Sequence, residues 1–135
     1  MKYLIAYGGT AVALAALDAL WLTFAGAKLY RPYIGELLME NGFRIAPAIT
    51  FYVLYVAGVV IFAVSPALKS GQWTTAALMG GLFGLFCYAT YDLTNQATLK
   101  VWPLRITLID LAWGVVLTAT AATVGYLVTR KFGGA

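Results

Sequence analysis

Four long apolar stretches, at about 3–25, 47–68, 73–97 and 104–128, follow one another along the chain with only short breaks between them. Each is long enough to cross the ~30 Å hydrocarbon core of a bilayer, which takes roughly 20 residues of helix. In lipid a spanning segment has to satisfy its own backbone hydrogen bonds, so each stretch is expected to be helical. Four crossings use up most of the 135 residues and leave no room for an aqueous domain. Only 10% of residues are charged, against about a quarter in a soluble domain. The expected class is all-α: a polytopic membrane protein whose residues 1–135 form one four-helix transmembrane bundle.

The nine Lys and Arg residues lie at the ends of the apolar runs. That placement fits anchoring to anionic lipid headgroups and not a nucleic-acid surface. Cys87 is the only cysteine, so no intramolecular disulfide is available, and the absence of histidine removes the commonest metal ligand and neutral-pH proton shuttle. Lys2, an apolar run and Ala25-Gly26-Ala27 resemble a cleavable signal. The run from Leu4 to Ala25 is longer than a signal core and contains Asp18, and it reads as an uncleaved first span.

Residues 26–46 are the most polar connection. Arg31-Pro32 reads as a helix start, Ile34, Leu37 and Leu38 give an apolar stripe, and Asn41-Gly42 an end. A short amphipathic helix over about 31–42, lying at the interface between spans 1 and 2, is expected. It acts either as a connector or as a lid. In the second span Tyr52 and Tyr55 share a face and serve as interface anchors or as donors to an interior acid. In the third, Gly80 and Gly84 form a small-xxx-small pair, suited to packing within the bundle or to a homodimer.

The densest polar stretch, Tyr88 to Pro103, brings Asp92, Thr94, Asn95, Gln96, Thr98 and Lys100 into an otherwise apolar chain. A carboxylate at this depth costs several kcal/mol unless paired, hydrogen-bonded, protonated or wetted. Asp18 and Asp92 lie past the middle of spans 1 and 3 by ~6 and ~10 Å, and Asp110 lies ~9 Å to the same side in the returning span 4. The three acids therefore converge on one half of the bilayer. Asp18 precedes Trp21 by three residues and Asp110 precedes Trp113 by three; because those helices run in opposite directions, this repetition is read as coincidence. A parallel two-span repeat is suggested instead by Asp18 with Lys28-Leu29-Tyr30-Arg31-Pro32 and Asp92 with Lys100-Val101-Trp102-Pro103.

The thirteen residues Tyr91 to Pro103, with Leu17-Asp18-Ala19-Leu20-Trp21 and Asp110-Leu111-Ala112-Trp113, resemble a bacterial inner-membrane family known as domain of unknown function 2177. The likeness runs over essentially the whole chain. It implies a small four-span membrane protein with this polar stretch as its hallmark, and it brings no activity.

The chemistry must therefore come from the residues. Intramembrane carboxyl groups with hydroxyl and amide neighbours suit proton exchange or ligand binding. The candidates are Asp92, Asp18, Asp110, Asn95, Tyr91, Tyr88, Thr94, Lys100, Trp21 and Trp113. Oxygen donors in this number also suit a hard cation, but there is no metal-ligand spacing, nucleophile set or phosphate loop, and no cofactor or metal is assigned. Three functions fit: proton-linked binding or transport of a small amphipathic or lipophilic molecule, acid-base catalysis on a lipid or isoprenoid, and a structural or partner-binding subunit. Membrane lipid is an expected partner in each. Basic residues divide four against five between the two faces, and the expected location is the bacterial inner membrane with both termini cytoplasmic.

Overall fold

The computed structural model describes residues 1–40 and 42–133. Four helices are long and apolar enough to span a membrane: α1 (Lys2–Leu37), α2 (Ile45–Ser70), α3 (Trp73–Thr98) and α4 (Leu104–Phe132). Among the described residues there is no strand. Helix α4 is the central element, packing along both α1 and α3, while the second half of α2 closes the bundle against α3 and α1.

Small residues set these distances. Along α3, Ala76, Gly80 and Gly84 are buried at four-residue spacing, and the same stripe continues through Tyr88 to Asp92. A methyl group on Gly80 would lie 2.8 Å from Ala122 Cβ, and one on Gly84 would lie 2.7 Å from Thr118 Oγ1 and collide with the Gly114 carbonyl oxygen. The Gly80–Gly84 face is thus filled by α4 of the same chain. On α1 the buried stripe is Ala6, Thr10, Leu14 and Asp18, and Gly125 of α4 fits against Thr10.

The expected separate interfacial helix takes a different form. Residues 31–37 are helical, but they continue α1 without a break, through a π-helical turn at Gly26–Tyr30, an α-helical turn at Arg31–Ile34 and a 3₁₀ turn at Gly35–Leu37. Gly26 keeps right-handed helical angles, and Pro32 follows the π turn by two residues. Proline has no N–H, and its ring presses on the carbonyl four residues back; one wider turn relieves that clash and lets the helix run on. The same device recurs in α2, where a π turn at Val60–Val64 precedes Pro66. The expected end at Asn41 lies outside the described residues, and Gly42 has φ +78°. At 36 residues, α1 is ~54 Å long and outreaches the hydrocarbon core. The two stretches of the suggested repeat also differ in backbone, since 28–32 is helical and 100–103 is a non-helical turn.

Among the described residues the first half of α2 keeps off α3 and is held to α1 alone, through Tyr52 on Asp18 and Tyr7 on the Val53 carbonyl oxygen. Ile45, Ile49, Phe51, Val53 and Leu54 are all exposed, and burial begins only at Tyr55. A gap remains between this half-helix, α1 and the end of α3, on the side of the membrane where the sequence places the acids.

Candidate functional site

That gap is a cavity of about 930 Å³. Its floor carries Asp18 and Asp110, its walls Trp21, Tyr30, Tyr52, Tyr55, Tyr88 and Trp113, and its rim Leu37, Leu38, Met39 and Phe43 of the α1–α2 connection. Met39 and Phe43 are themselves exposed, so the connection forms one lip of the opening.

The two Asp-x-x-Trp pairs meet here. Trp21 and Trp113 stack with ring centroids 4.6 Å apart and planes 11° from parallel. Because α1 and α4 run in opposite directions, each aspartate lies three residues from the stack on opposite sides of it. The acids are therefore ~9 Å apart along the bundle axis. Each indole then reaches toward the other helix's acid. Trp113 Nε1 donates to Asp18 Oδ1 at 3.4 Å, while Trp21 Nε1 donates to the Tyr30 hydroxyl at 3.1 Å, which donates to Asp110 Oδ1. Tyr52 donates to Asp18 Oδ2. The repetition expected to be incidental is an approximate twofold arrangement about the tryptophan stack.

Asp92 is placed differently. It is fully buried on the α4 side of α3, off the cavity wall. Its carboxyl neighbours that of Asp110, and neither of its oxygens has a hydrogen-bond partner among the described residues. The three acids are thus a neighbouring pair, Asp92 and Asp110, and a separate Asp18 beyond the tryptophans. Among the described residues no three acids or cysteines gather as a metal site would require.

The remaining candidates divide. Tyr88 and Tyr91 line the cavity, and Tyr91 meets Trp102 edge-on at 5.7 Å. Asn95 is half-buried and off the wall. Thr94 faces outward and bonds its own helix at Thr90 and Tyr91, and Lys100 is exposed. Tyr30 is the residue that sequence reasoning passed over, because it was assigned to a connection and not to a continuous α1. Tyr52 does donate to an interior acid, whereas Tyr55 is tied to Thr118, with 2.7 Å between hydroxyl oxygens.

A family described as "Predicted membrane protein (DUF2177)" matches residues 3–127. No curated protein and no solved structure matches the chain. The chain belongs to the DUF2177 family of membrane proteins.

Proposed function

We propose that this protein binds and moves a small amphipathic or lipophilic molecule across or within the bacterial inner membrane, linked to proton exchange at the Asp92–Asp110 pair. The observation that carries the reading is the 930 Å³ cavity with an apolar rim and a floor holding Asp18 and Asp110. A cavity of this size falls in the range used for small molecules, which bind in largely apolar walls with a few convergent polar groups. The exposed first half of α2 gives a lipophilic molecule a route in from the membrane. Asp92 backs the floor, so a proton arriving on or leaving the pair changes the charge directly beneath the ligand. Both termini are assigned to the cytoplasm, with the cavity in the outer leaflet.

The test is flux of a panel of fluorescent amphipathic dyes into proteoliposomes under an imposed pH gradient. Flux that depends on the gradient and is lost in Asp92→Asn supports the reading; unchanged flux in Asp92→Asn removes it. A second reading, acid-base catalysis on a lipid, draws on the same pair, which offers one proton donor and one acceptor beside a cleft open to lipid. Incubation with membrane lipid extract, followed by mass analysis, separates the two: a converted lipid favours catalysis, and unaltered extract favours transport.

A further inference from the structure

The chain keeps its charges of opposite sign apart. Three of its five acids, Asp18, Asp92 and Asp110, are buried, and none of its nine Lys and Arg residues is. The partners of Asp18 and Asp110 are neutral donors, Tyr52 with Trp113 and Tyr30, so no cation of the protein neutralises them directly.

The aromatic rings repeat this division. Every cation–aromatic contact formed among the described residues lies outside the cavity: Lys2 on Tyr3, Lys28 on Phe24, Arg105 on Tyr33, Arg130 on Tyr126 and Lys131 on Phe132. The cavity's own rings, among them Trp21, Tyr30, Tyr52, Tyr88, Trp102 and Trp113, have none. Aromatic faces attract cations most strongly where water is excluded. A tyrosine hydroxyl that donates to a carboxylate becomes a better acceptor at its own oxygen; at Tyr30 that oxygen takes the Trp21 N–H, and at Tyr52 no donor meets it among the described residues. Arg31 is the one basic side chain on the lining, and it is exposed at the rim.

We infer that the cavity is built for a lipophilic organic cation: a largely apolar molecule with one onium or protonated-amine charge, seated among the rings above Asp18 and Asp110. This rests on the cavity being a binding site and adds the sign of the ligand's charge. Ring faces and hydroxyl oxygens would replace the water around the cation, while the two acids supply the opposite charge from beneath.

The experiment compares two probes of the same shape and opposite charge, tetraphenylphosphonium and tetraphenylborate. They are titrated into the full chain in phosphatidylcholine nanodiscs, with empty nanodiscs as blank. Binding is read by equilibrium dialysis and by tryptophan fluorescence, since three of the four tryptophans line the cavity. The expected result is saturable phosphonium binding at least about tenfold tighter than borate, weakened by about tenfold or more in Asp18→Asn and in Asp110→Asn. Equal binding of the two probes, or a preference for borate through Arg31, overturns the assignment of charge and leaves the cavity as a lipophilic site. Saturable binding of neither probe overturns this inference and the proposed function together. Should the aspartate variants fail to fold, the sign preference of the unaltered protein decides the matter alone.

Discussion

Replacing Gly84 by alanine tests the packing that holds the acid pair in place. The new methyl group would lie 2.7 Å from Thr118 Oγ1 and 2.8 Å from the Gly114 carbonyl carbon, and would overlap the Gly114 carbonyl oxygen. A carbon next to an oxygen needs about 3.3 Å, so α3 and α4 must part by roughly 0.6 Å at Thr118 and by more at Gly114. Neither neighbour can yield cheaply, because one is backbone and the other is a hydroxyl held by Tyr55. Overpacking of this kind costs about 1–3 kcal/mol, and the upper half of that range is expected here. Two turns further along α3, the separation reaches Asp92 and loosens its contact with Asp110. Gly81→Ala is the matched control, since its methyl group would find only an ordinary contact at 3.5 Å with Val115. The assay is reversible unfolding of both variants in lipid nanodiscs by steric trapping. A loss of about 2–3 kcal/mol in Gly84→Ala, with Gly81→Ala within about 1 kcal/mol of the parent, is the expected result. Equal stability of the two variants would refute the packing argument.

Three further outcomes follow from the site. Tyr52→Phe and Tyr30→Phe each remove a hydroxyl bonded to a buried aspartate, and each should cost about 1.5–3 kcal/mol in the same unfolding assay; a cost near zero would mean that the bonds are not formed in lipid. Asp92→Asn should leave stability within about 1 kcal/mol, because the amide has nearly the same shape and neither carboxyl oxygen has a hydrogen bond to lose among the described residues. A larger loss would mean that Asp92 is held by a bond formed in lipid. Cys87, on the cavity wall, should react with a membrane-soluble maleimide and resist a membrane-impermeant one; reaction with both at equal rates would mean that the cavity opens to water and not to lipid.

The four crossings were legible because run length and scarcity of charge are properties of sequence alone, and the bilayer leaves helix as the available answer. Depth was legible only in part: counting residues at a fixed rise groups Asp18, Asp92 and Asp110 near one level, whereas the tryptophan stack sets Asp18 and Asp110 ~9 Å apart along the bundle axis. Rotation about each helix axis was not, since it depends on which small residues face which neighbour. Gly80 and Gly84 turn α3 so that Asp92 faces α4 and not the cavity, and this divides three acids into a pair and a single. The connection misled for a different reason. Lys28, Arg31, Glu36 and Pro32 carry the composition of a loop with a new helix start, whereas a π turn absorbs the proline and keeps the helix intact. Tyr30 reaches Asp110 only because α1 continues that far. The tryptophan stack required knowing that α1 and α4 are neighbours, which adjacency in sequence does not imply.

The central claim is a ligand cavity, open to the membrane, between the first half of α2 and the end of α3. The most direct measurement is a high-resolution density map of the protein in a lipid nanodisc. The account predicts that the first half of α2 stands off α3 and that elongated density enters between Phe51 and Tyr88, ending above Asp18 and Asp110. A map in which α2 packs against α3 along its whole length, with the aspartates sealed beneath it and no space in front of them, would contradict it.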